Sequence, residues 1–106
     1  MIEAISQEAL DELEAKHGAV FECETGQGKV LFRCANVGEI GAFRERAGKS
    51  SQLLLAQNEL MARATVYPDK TIVEDLQKRF PLFAVDVCDA ILTVAKGNEE
   101  ARAKKP

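Results

Sequence analysis

Val20-Phe21-Glu22-Cys23-Glu24-Thr25-Gly26-Gln27-Gly28-Lys29-Val30-Leu31-Phe32-Arg33-Cys34 is the stretch on which the fold turns. Phe21 and Cys23 alternate with Val20, Glu22 and Glu24, and Val30, Phe32 and Cys34 alternate with Leu31 and Arg33. Period-two patterning on both sides of a Gly-Gln-Gly turn predicts a β-hairpin. A two-residue Gln27-Gly28 turn would pair Cys23 with Phe32 and Phe21 with Cys34. It would gather the Phe and Cys side chains on one face and set Glu22 opposite Arg33. Cys23 and Cys34 would then be diagonal neighbours, a geometry in which a disulfide is strained.

Helical signals flank the hairpin on both sides. Upstream, Ser6 is placed to cap a helix running to about His17, with Ile5 and Leu10 at staple positions and Gly18 as the stop. Ala9, Leu10, Leu13 and His17 share one face of it. Downstream, Asn36 with Glu39 predicts a capping box and a short helix through Arg46, ended by Gly48. A third helix is expected over about 51–65, with Leu53, Ala56, Leu60 and Ala64 in one stripe and Leu54 and Met61 beside it. Tyr67-Pro68-Asp69 breaks it. Thr71-x-x-Glu74 predicts a capping box for a fourth helix to about Arg79, burying Ile72, Val73 and Leu76. Pro81 opens a fifth, about Leu82 to Lys96, with Phe83, Val87, Ile91 and Leu92 as its stripe and Gly97 after it. The expected class is α+β: an N-terminal helix, one antiparallel β-hairpin, then a cluster of three to four α-helices. Residues 1–97 form the single domain, and 98–106 read as a flexible charged tail.

Length and composition agree with one domain. The chain has 106 residues, 46% hydrophobic and 29% charged, with 14 basic and 17 acidic side chains and a net charge of −3. That balance argues against a dedicated duplex-DNA binder, whose phosphate contacts need a basic surface. Met1-Ile2-Glu3-Ala4-Ile5 has no basic region ahead of an apolar stretch, and the apolar run Phe80–Val87 is interrupted by Asp86, so neither a secretory signal nor a membrane span is expected and the predicted location is the cytoplasm.

Chemistry-bearing patterns are sparse. Gly26-Gln27-Gly28-Lys29 lacks the spacing of a phosphate loop, and Gly48-Lys49-Ser50 would need its first glycine where Phe43 stands. The three cysteines, Cys23, Cys34 and Cys88, include no Cys-x-x-Cys pair, and His17 is the single histidine, so no zinc spacing exists. All three thiols fall at apolar positions and read as buried small hydrophobes, with His17 favouring a helix C-terminus. Asp86 and Asp89, with Glu74 and Asp75 upstream, read as solvated faces. Arg33, Arg44, Arg46 and Lys49 make a modest basic cluster. No catalytic, metal or cofactor residue is expected, and the chain reads as a non-enzyme.

One resemblance emerges from the element order. A strand ends in Phe32-Arg33, and a short helix carries Glu39 and Phe43. Leu60 leads to Val66-Tyr67-Pro68-Asp69, and Phe80-Pro81 precedes an apolar helix closed by Gly97. Over residues 20–97 this resembles small tail-assembly-chaperone-like proteins of long-tailed bacteriophages and prophages, whose pattern has Phe-Arg-x-Pro where this chain has Ala35 in place of the proline. The resemblance implies a non-enzymatic role in the host cytoplasm. Such a protein would bind the tape measure protein or tail tube subunits during assembly; in many phages a frameshift extends the product. The contact surface is expected on the helices from Ser51 to Lys96, through Leu53, Leu54, Leu55, Met61, Phe83 and Ile91, with Arg44 and Arg46 beside it. Homo-oligomerisation through the same apolar helices, as a structural protein of the phage, is the second reading. A regulatory or host-interaction protein, including a nucleic-acid binder using Arg44, Arg46, Lys49 and the C-terminal lysines, is the third, and the acidic balance counts against it.

Overall fold

In a computed structural model describing residues 2–98 and 100–103, the chain runs α1 (Gln7–His17), β1 (Val20–Thr25), β2 (Gly28–Arg33), α2 (Val37–Ala47), α3 (Leu53–Ala64), β3 (Thr65–Tyr67), α4 (Lys70–Arg79) and α5 (Phe83–Ala95). This is an α+β architecture of five helices and a three-stranded antiparallel sheet ordered β1-β2-β3.

The hairpin forms with its faces as expected but with a different register. Thr25 pairs with Gly28, Phe21 with Phe32, Cys23 with Val30 and Val20 with Arg33. The turn is therefore Gly26-Gln27, one residue earlier than the pattern proposes. Thr25 explains the choice: its Oγ1 donates to the Gly28 carbonyl at 2.6 Å and accepts from the Gln27 amide at 3.1 Å, bracing the turn from inside. Moving a turn by one residue shifts every pair by two, which preserves the faces. Phe21 and Phe32 consequently stack, with centroids 5.9 Å apart. Glu22 faces Leu31 rather than Arg33, and its ion pair is with Lys29 at 2.9 Å.

The third strand is a departure from the expected single hairpin. Thr65–Tyr67, read in sequence as the end of a helix and a break, pairs antiparallel with β2 through Leu31–Tyr67 and Phe32–Thr65. Thr, Val and Tyr suit a pleated surface, but three residues are too few to show alternation. On the opposite edge, the Glu22 amide donates to the Ala101 carbonyl at 2.7 Å and the Ala103 amide to the Val20 carbonyl at 2.9 Å. Residues 101–103 of the expected tail thus lie along β1, while residues 99 and 104–106 fall outside the described residues.

Two apolar layers sandwich the sheet. Phe21, Val30 and Phe32 meet Leu60 and Met61 of α3, Leu76 of α4 and Val87, Cys88 and Ile91 of α5 in the main core. On the other face Val20 and Leu31 meet Leu10 of α1, with Ile5 packed beside it as the staple pattern implies. Helix starts follow local chemistry. Ser6 Oγ accepts from the Ala9 amide at 3.2 Å, and Asn36 and Glu39 form the full capping box. For α4 the cap is Asp69, whose carboxylate accepts from the Ile72 amide at 3.1 Å, in place of the expected Thr71–Glu74 box. With the helix begun two residues earlier, Val73 and Leu76 are buried and Ile72 is exposed.

Candidate functional site

The surface features that distinguish this molecule are apolar. Leu53, Leu54 and Leu55 open α3, and 52%, 37% and 52% of their respective surfaces remain exposed. Successive helical residues are turned by about 100°, so three in a row cannot share one buried stripe. The stripe begins instead at Ala56 and continues through Leu60, Met61 and Ala64. Gln52, which precedes the leucines, makes no capping hydrogen bond; its Oε1 accepts from Arg46 Nε at 3.2 Å.

Of the eight expected contact residues, the structure brings five to the surface around α2 and α3. Leu53, Leu54, Leu55 and Arg44 are exposed, and Arg46 is half-exposed. Arg46 also pairs with Glu59, which in turn holds Arg63 at 3.1 Å, so its charge is largely spent inside the protein. Met61 and Ile91 are wholly buried in the main core, and Phe83 packs partly against it. These three hold the core together and offer little or nothing to a partner; burying a side chain of this size contributes about 1.5–3 kcal/mol. The expected basic cluster is likewise divided. Arg33 is engaged with Glu39, leaving Arg44 and Lys49 as its exposed members.

Sequence reasoning passed over Leu82, 70% exposed in the short link from α4 to α5, and Val37, 91% exposed at the first position of α2. The available signal was positional. A residue directly after an N-cap, or directly after the proline of a three-residue link between helices, stands off the helix stripe that packs inward. Phe80 in the same link is half-exposed, with the Arg79 guanidinium 5.4 Å from its ring centroid.

Reactive groups are muted or separated. Burial, reinforced by the carboxylates of Asp86, Glu24 and Asp89, pushes the Cys23 thiol up to about 11. Burial and Asp89 do the same to Cys88. Cys34 departs from expectation: it is exposed just beyond β2, with its Sγ 3.5 Å from the Ala35 carbonyl. His17 and Cys34 line one shallow depression together with Arg33, yet no hydrogen bond joins them among the described residues. Among those residues, too, no group of His, Cys, Asp and Glu could hold a metal ion, and no helix is long and apolar enough to cross a membrane.

Comparison with known proteins bears on the fold. The chain is similar to a solved structure of an uncharacterised protein of Bacillus stearothermophilus, rbstp2171, with a TM-score of 0.74 and 20% identity, over 90% of this chain and 99% of that one. At that identity the likeness is one of fold. No protein-family model matches the chain, and no curated protein matches it.

Proposed function

We propose that this protein is a non-enzymatic assembly factor of the phage tail-chaperone kind. In this reading it binds the tape measure protein or tail tube subunits in the bacterial cytoplasm and shields their apolar helices until assembly. The observation that carries the proposal is the exposed Leu53-Leu54-Leu55 turn, three large apolar side chains at the start of a helix whose buried stripe begins only at Ala56. A contiguous apolar turn on a small acidic domain suits reversible capture of another protein's helix. The element order from Phe32-Arg33 to Gly97 supports the same reading, and the raised thiols of Cys23 and Cys88 suit a binding role better than nucleophilic chemistry.

Co-expression with a tape measure protein, followed by affinity capture, tests it. The wild-type chain is expected to co-purify with the tape measure protein and raise its soluble yield. Leu53→Glu/Leu55→Glu, which alters only exposed positions, is expected to abolish both effects while leaving the thermal melt in place. Absence of a complex with the wild-type chain would overturn the proposal. So would light scattering that finds the leucine turn already covered by a second copy.

A further inference from the structure

Helix α2 is anchored by polar contacts. Its start is held by the Asn36–Glu39 capping box and by Arg33 on Glu39, and its end by Arg46 on Glu59. Every one of its residues keeps part of its surface exposed. Its large apolar side chains, Val37, Ile40 and Phe43, recur at intervals of three and line one groove; Ile40 and Phe43 rest half-buried on the main core and turn their remaining surface to the groove, while Val37 stands 91% exposed at its rim. Leu92, on the last turns of α5, forms the facing wall, and Arg44 and Lys96 stand in the same lining. The groove has a volume of about 490 Å³, within the range of a pocket for several side chains.

Its charge runs against that of the molecule. The chain carries 17 acidic and 14 basic side chains, yet the groove's described lining contains two cations and no carboxylate. Arg44 and Lys96, like Lys16, Lys49, Lys70 and Lys78 elsewhere on the surface, take part in no ion pair among the described residues, so their charge is available to a partner. An apolar floor with unpaired cations on it is the complement of a helix that is apolar on one face and carboxylate-bearing at its edges.

We propose that the α2–α5 groove is a docking site for an acidic amphipathic helix of another protein. Large apolar side chains of that helix sit on Val37, Ile40, Phe43 and Leu92, and its carboxylates meet Arg44 and Lys96. The inference does not rest on the tail-assembly reading, because Leu53, Leu54 and Leu55 do not line this groove.

Fluorescence anisotropy with two synthetic peptides tests it. One is a labelled helix of about four turns with Leu on one face and Glu at the flanks; the other carries Lys in place of every Glu. The Glu peptide is expected to bind saturably and to weaken as salt is raised, and the Lys peptide to fail. Arg44→Glu/Lys96→Glu is expected to weaken the Glu peptide by at least about tenfold and to bind the Lys peptide instead. Val37→Ser is expected to weaken binding about threefold or more without moving the thermal melt, since the residue is almost wholly exposed. Leu53→Glu/Leu55→Glu is expected to leave binding unchanged, which separates this site from the leucine turn. Equal binding of both peptides, no binding of the Glu peptide, or indifference to the double charge reversal would overturn the proposal. A dimer in light scattering that Val37→Glu dissociates would also overturn it, by assigning the groove to a second copy.

Discussion

Arg33 and Glu39 meet fork to fork: Nη1 donates to Oε1 and Nη2 to Oε2, both at 2.8 Å. The pair joins the end of β2 to the first turn of α2. Arg33 Nη2 also donates to the Arg63 carbonyl at 2.9 Å, in the last turn of α3, and Glu39 Oε1 accepts from the Asn36 amide at 3.0 Å. One guanidinium therefore fixes where three elements meet. The Glu39 side chain is only 11% exposed, so the carboxylate depends on these partners for its solvation.

Removing the guanidinium should consequently cost more than an exposed ion pair would. Arg33→Ala is expected to lower unfolding free energy by about 2–3 kcal/mol, because it strands the Glu39 carboxylate. Arg33→Lys keeps the charge but loses the fork, and a cost of about 1 kcal/mol is expected. Exposed Arg79→Ala, whose pair with Asp75 lies in solvent, should change stability by less than about 0.5 kcal/mol. Urea denaturation of the three variants checks the order.

Acid should act through the same contact. Hydrogen bonds from Arg33, opposed by burial and aided by the Asn36 amide, hold the Glu39 carboxyl down at about 2, against an ordinary 4.5. Between those values the unfolded chain binds the proton and the folded chain does not. The stabilisation is thus fully present above 4.5 and is lost as pH falls toward 2. Glu39→Gln is expected to be less stable by about 1–2 kcal/mol at neutral pH and to show a flatter stability profile between pH 4.5 and 2. Chemical denaturation across that window measures both.

Thiol accessibility separates the cysteines. Cys34 is exposed, Cys23 half-buried and Cys88 buried. A disulfide-exchange reagent at pH 8 is expected to label one thiol rapidly in the native protein and all three in denaturant. Cys34→Ala should remove the fast phase. Slow labelling of the other two follows from burial and from thiols held near 11. Rapid native labelling of Cys23 or Cys88 would contradict the packing described above.

The hairpin turn makes a further distinction between two glycines. Gly28 has φ +121°, and a Cβ there would lie 2.8 Å from the Ile2 carbonyl oxygen, on a segment tied down by the Ile2 amide to the Gln27 carbonyl at 2.7 Å. Gly28→Ala is expected to destabilise by about 2 kcal/mol or more. At Gly26 a Cβ meets nothing within 4 Å, so Gly26→Ala should stay within about 0.5 kcal/mol. Thermal melts of both variants decide it.

What the sequence determined by itself was local. Ser6 as an N-cap, the Asn36–Glu39 box, the glycine after α1 and the two faces of the hairpin all rest on residues within a few positions of one another, and each appears in the structure. Tertiary structure decided everything that depends on which distant surface arrives. Thr65–Tyr67 becomes a strand only because β2 offers an edge, and residues 101–103 find their place only because β1 offers the other. Leu53 and Met61 are equally apolar in the sequence, yet one faces solvent and the other disappears into the core. The helix phase that separates them is set by packing against the sheet and α5, a long-range term that local propensity does not contain. Arg33 likewise chose Glu39 over Glu22 because a turn placed one residue earlier carried it past its expected partner.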